Sequence, residues 1–205
     1  MSLDVSKTKI ANLALQKLGA ERITSLTQDH PNARSINACY DLQLGIELAS
    51  HRWNFTKKRA SLGPHATAPA FDYDYAFVLP PDCLTFRKPA RISLDWSVEL
   101  HEGYNAILTN EDDEIELVYH ALIEDPTKYH PLFIEMLACK IAWHCCEEIT
   151  QSNTKKESLE RMYDRARAVA RKMNAFEQPQ QHEPVDSWIL ARQSGQLVDE
   201  TWRER

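Results

Sequence analysis

Apolar positions recur at helical spacing near both ends of the chain and at strand spacing between them. Ile10, Leu13, Ala14 and Leu18 recur at helical spacing, which predicts a helix over residues 4–18. Gly19 supplies its left-handed stop, and Asp4 or Ser6 its cap. A second helix follows, with Asp29 as cap, Pro31 in the first turn and Ile36, Tyr40, Leu44 and Leu48 as one stripe, with Cys39 beside it. From Arg52 to Tyr119 the period falls to two. Trp53, Phe55, Tyr73, Tyr75, Phe77 and Leu79 alternate as strand residues do, until Pro80-Pro81-Asp82 interrupts them. Residues 91–100 and 104–108 are further strands, and the polar turn at 110–113 is expected to join 104–108 to 114–119 as a hairpin. Residues 63–70, with two prolines, form a surface loop.

Helical spacing returns after Pro131. The helix over 131–149 is apolar on most sides, through Phe133, Ile134, Leu137, Ala138, Ile141, Ala142, Cys145 and Ile149, with a polar stripe of Lys140, His144, Glu147 and Glu148. A helix of that kind lies in a core or in a subunit interface. The helix over 154–176 is expected to turn Leu159, Met162, Tyr163, Ala166, Val169, Ala170 and Met173 inward. The pattern therefore predicts a mainly α fold, a helical bundle with an inserted small antiparallel β region and an extended C-terminal tail. Residues 1–51 and 126–176 form the bundle, 52–125 the β-rich insertion, and 177–205 a linker and docking tail.

The tail departs from the rest in composition. Gln178-Pro179-Gln180-Gln181-His182-Glu183-Pro184 has nothing to bury and reads as an extended linker. Beyond it an apolar cluster stands alone, and Asp186, Ser187, Trp188, Ile189, Leu190 and Arg192 are the expected partner-binding residues. The segment either folds back on its own bundle or reaches a partner and orders on binding.

Composition narrows the function. A hydrophobic share of 43% supports a real core, yet no apolar run reaches the ~18 residues of a membrane span. No basic region followed by an apolar block opens the chain, so synthesis in a cytoplasm is expected. Thirty acids outweigh 24 bases, and the bases are interleaved with acids. The short cluster Lys57-Lys58-Arg59 and the bases spread over 161–172 are expected to be solvated faces, not a nucleic-acid grip.

Catalytic and metal chemistry find little support in the spacing. Cys139, His144, Cys145 and Cys146 share one helix, with His130 upstream, and do not converge on a tetrahedron, so no metal or other cofactor is expected. The five cysteines are read as buried free thiols. Glu147 and Glu148 are adjacent, about 100° apart on a helix, and the acids Glu111, Asp112 and Asp113 sit in a turn, so neither set forms a glycosidase pair. No nucleophile elbow, phosphate loop or dinucleotide turn is present, and the chain is expected not to be an enzyme.

Several stretches carry a resemblance in order along the chain. They are Ala14-Leu15-Gln16-Lys17-Leu18-Gly19 with Ile23-Thr24-Ser25-Leu26, Arg52-Trp53-Asn54-Phe55 with Ala60-Ser61-Leu62, and the aromatic run from Tyr73 through Leu79-Pro80-Pro81-Asp82 to Leu84. Glu116-Leu117-Val118-Tyr119, Leu137-Ala138 with Ile141-Ala142, and Asp186-Ser187-Trp188 with Ala191-Arg192 complete the set. The chain resembles the tail tubular protein A and tail accessory factor family, head-to-tail adaptors of short-tailed bacteriophages. That resemblance implies a structural subunit of the virion's head-tail junction that forms a ring, usually of twelve copies, beneath the portal protein. It implies contacts with the portal, with neighbouring copies and with the next tail component, a nozzle or tail tubular protein, and genomic DNA passing through without specific binding. The competing reading is a helical, nucleic-acid-binding subunit of DNA packaging or regulation, which requires a basic face.

Overall fold

The computed structural model describes residues 5–87, 89 and 95–177. Helix α1 spans Lys7–Leu18. Of the two caps foreseen, Ser6 is the one used, its Oγ accepting the Lys9 amide at 3.2 Å. Gly19, at φ 69°, ends the helix in the left-handed conformation that glycine adopts without a Cβ clash.

Helix α2 spans Pro31–Ala49, and its cap is His30 rather than Asp29. Pro31 holds the first helical position and forces the residue before it into extended backbone, so His30 becomes the half-turn residue and its Nδ1 accepts the Asn32 amide at 3.2 Å. Helix α3 (Pro131–Thr150) opens the same way, with His130 Nδ1 accepting from Leu132 N. Helix α4 covers Asn153–Phe176 behind the cap Ser152.

Helix α3 is the axis of the fold. Helices α1, α2 and α4 all pack against it, so its apolar sides are consumed within this chain's own core. Trp143, on its less buried side, stacks on Tyr163 of α4 with ring centroids 6.0 Å apart. Helix α4 buries a narrower stripe than its sequence implied: Leu159, Tyr163, Ala170 and Asn174 are inside, whereas Met162, Val169 and Met173 are exposed.

The middle of the chain forms two small antiparallel sheets. A 3-10 turn, Asn54–Thr56, precedes β1 (Lys57–Leu62), so Trp53 and Phe55 lie ahead of the strand that their alternation suggested. Trp53 is instead a buried core residue whose indole N–H donates to Glu47 O at 2.9 Å. One sheet has the order β1, β6 (Ile115–Ala121), β3 (Cys83–Phe86); the other has β2 (Tyr75–Val78), β5 (Tyr104–Thr109), β4 (Trp96–His101).

This topology corrects the expected hairpin. Strands β5 and β6 belong to different sheets, so the polar turn after Thr109 is a crossover. The hairpin is β4–β5, closed by Glu102 and Gly103 between the paired residues His101 and Tyr104. Both turn residues have positive φ, 48° and 86°, the geometry of a two-residue type I′ turn, which matches the natural strand twist. Pro80-Pro81 likewise marks the passage from one sheet to the other, because β2 and β3 have no ladder in common.

Phe77 and Ile107 from one sheet, and Ile115, Leu117 and Tyr119 from the other, join the helices in one continuous core. With 49% helix and 20% strand among the described residues, the fold is mixed α/β rather than mainly α. The strands were legible, but their share of the common core was not. Among the described residues, no helix is long and apolar enough to cross a membrane.

Candidate interaction surface

The end of α4 is fastened to the connection between α2 and β1. Asn174 is buried, and its side chain accepts the Asn54 amide at 2.8 Å while donating to Arg52 O at 2.9 Å and His51 Nε2 at 3.1 Å. The Asn54 side chain returns a bond to Asn174 O at 2.8 Å and reaches Glu177 at 3.2 Å. Glu177 also lies 3.7 Å from His130 at the start of α3, a further contact between the end of α4 and the bundle.

A cleft of about 400 Å³ opens at this junction, lined by Trp53, Phe55, Tyr129, Phe133 and the polar residues just named. Phe133 is the hub of its wall, with ring centroids 5.1 Å from Trp53, 5.0 Å from Phe55 and 5.3 Å from Tyr129, all near edge-to-face. Such pairs add about 0.5–1.5 kcal/mol each beyond their burial. The expected partner-binding residues Asp186, Ser187, Trp188, Ile189, Leu190 and Arg192 lie outside the described residues.

Beside the cleft, α4 carries an apolar stripe. Met162, Val169, Met173 and Phe176 follow one another at spacings of three, four and seven along one side, and Phe176 is 71% exposed. Helix α2 adds Leu42 and Ile46 to the exposed apolar surface. Surfaces of this kind on ordinary monomers are small, and contiguous ones mark contact sites.

Between α2, α3 and α4 a polar group is buried. Glu47 is only 2% exposed. Its Oε1 accepts from Tyr163 OH at 2.7 Å and lies 3.9 Å from Lys140 Nζ, while Oε2 has no partner among the described residues. Burial, and then the Glu47 hydrogen bond, push the Tyr163 hydroxyl up to about 12. Lys140 lies over both the Trp143 and Tyr163 rings, at 4.5 and 4.9 Å.

The residues weighed for catalysis are engaged in separate places. Glu147 pairs with Lys156 of α4 at 2.6 Å, and that hydrogen bond holds its carboxyl below the usual range. Glu148 turns to α2, where Ser35 Oγ donates to it at 2.6 Å. Several of the bases are occupied as well. Lys58 pairs with Asp82, Arg161 with Glu157, and Arg167 with Asp164.

Distant segments meet at one point that reading along α3 alone could not reveal. Cys39 of α2 lies with its sulfur 3.2 Å from that of Cys145, and His144 joins them, the three candidate ligand atoms all within 4.8 Å of one another. Cys139 and Cys146 are not part of this group. Helix spacing alone separates His144 from Cys145 by about 100°, and a partner from another helix has no signal in the spacing. A second group, His65, His101 and Glu102, forms near the β4–β5 turn. The chain matches no protein-family model, and no curated protein matches it significantly.

Proposed function

We propose that this protein is a structural head-to-tail adaptor, a ring subunit that sits beneath a phage portal, joins capsid to tail and surrounds the DNA conduit. The observation that carries the reading is the apolar stripe of α4, Met162, Val169, Met173 and Phe176, which no other element of the described chain covers. In a closed ring one face of each copy meets a different face of the next, so each subunit needs such a surface. The stripe ends where the chain continues into residues 178–205, which hold the Trp188 cluster. A tryptophan anchor contributes about 2 kcal/mol or more to an interface, and repetition around a ring multiplies its effect.

Charge supports the same role. A net charge of −6, with acids paired to many of the exposed bases, gives little hold on phosphate and suits a passage through which DNA slides. The competing nucleic-acid-binding reading predicts strong retention on heparin at low salt.

The decisive experiment is electron microscopy of the protein mixed with its cognate portal. Rings stacked on the portal are expected, and no association at micromolar concentration overturns the proposal. Deleting residues 178–205 should leave the bundle folded and weaken co-sedimentation with the portal, and Trp188→Ala should do part of the same. Equal binding with a large loss of melting temperature would place the tail in its own core.

A further inference from the structure

We propose that Cys39, His144 and Cys145 form a binding site for one zinc-class divalent cation, which clamps α2 to α3. The three ligand atoms already lie within 4.8 Å of one another, and they come from two helices fixed against each other by the core. Two thiolates on a tetrahedral zinc, with Zn–S of about 2.3 Å, stand about 3.8 Å apart. The observed sulfur separation of 3.2 Å therefore has to open by about half an ångström.

The surroundings fit the chemistry. Cys39 and Cys145 are buried, whereas His144 and Glu148 are exposed, so the sulfurs are shielded and an entry path remains on the imidazole side. On binding, both thiols lose their protons to solvent and the histidine stays neutral. Two thiolates then balance the dication, and the buried part of the site carries no net charge, which removes the main penalty for burying it. Glu148 lies one helical turn beyond His144, close enough for its charge to act on both sulfurs. Ser35 Oγ holds it at 2.6 Å, so a water can take the fourth position and be held by that carboxylate. Paired thiolates with imidazole select zinc over magnesium or calcium, which prefer all-oxygen sites.

The test uses the full chain, stripped of metal by a chelator and kept reduced with a phosphine. Cobalt(II) serves as the spectroscopic probe and zinc as the ligand in calorimetry and native mass spectrometry. One equivalent should bind, with thiolate-to-cobalt charge transfer and intense tetrahedral visible bands, and zinc should raise the melting temperature. Because Cys39→Ser and Cys145→Ser touch the core, the exposed His144→Ala is the primary variant. It should weaken zinc binding at least about tenfold, since even an outer-sphere partner is worth about 10–100-fold. His101→Ala, which removes the second histidine group, should leave binding intact. Failure to bind one equivalent, a weak octahedral cobalt spectrum, undiminished binding by His144→Ala, or binding lost only in His101→Ala would each overturn the proposal. None of these readouts depends on ring formation.

Discussion

Replacing Asn174 with alanine should loosen the last turn of α4 and lower the stability of the whole bundle. The residue is 7% exposed, and its side chain makes three hydrogen bonds to the α2–β1 connection. At about 0.5–1.5 kcal/mol net for each, their loss costs about 2–4 kcal/mol. Alanine returns up to about 0.7 kcal/mol through its better helix propensity. A net loss of about 2.5 kcal/mol, with a urea slope of about 2 kcal/mol/M, lowers the unfolding midpoint by roughly 1 M. Amide exchange should quicken at the end of α4 and at Asn54, whose N–H loses its acceptor. Asn174→Asp separates the contributions. It retains the acceptor for Asn54 but loses both donors, and it sets a carboxylate against Arg52 O and His51. Burial holds the His51 pKa down in the native protein. The new carboxylate raises it, so the pairing of His51 with that carboxylate adds stability below the unfolded value of about 6.5 and loses it as the pH rises through the raised folded value. The gap between native protein and Asn174→Asp should therefore narrow from pH 8 to pH 5.5. An Asn174→Ala midpoint corresponding to less than about 0.5 kcal/mol of change, the range of ordinary surface substitutions, refutes this account.

Other outcomes follow from the same structure. Glu47→Ala strands Tyr163 OH and removes the acid beside half-buried Lys140, so urea unfolding should show a loss of about 3 kcal/mol or more, while Glu47→Gln, which can still accept from Tyr163, should lose much less. His120 is buried beside Thr56 and Trp53 O, and burial lowers its pKa. Its contribution to stability is present in full above about pH 6.5 and is lost as the pH falls through the depressed folded value, so a urea series from pH 7.5 to 5.5 should show a decline that His120→Gln reduces. Val169→Lys, on the exposed stripe of α4, should change the melting temperature little yet abolish rings on the portal; intact rings would move the subunit contact elsewhere. Purified protein should not lyse peptidoglycan, and lysis lost on Glu147→Gln or Glu148→Gln would restore the paired-carboxylate reading.

The local signals in the sequence determined much of this protein. The stripe of Ile36, Tyr40, Leu44 and Leu48 is buried as its spacing required, Ser6 and Gly19 bound α1, and the change of period between Trp53 and Tyr119 marks where the strands lie. These features depend on residues within a turn or two of one another, so a single chain displays them. The tertiary structure decided the rest. Helix α3 is apolar on most sides because three helices of its own chain surround it, an outcome that periodicity cannot separate from a subunit interface. Strands β5 and β6 belong to different sheets, because strand pairing is set by long-range packing and only the Glu102-Gly103 turn fixes a local hairpin. Met162, Val169 and Met173 match the inward pattern of α4 but face outward, since the width of a buried stripe depends on how many neighbours cover it. Cys39 meets Cys145 across 106 positions of sequence. No spacing rule spans that distance; the two sulfurs are neighbours because α2 and α3 share one core.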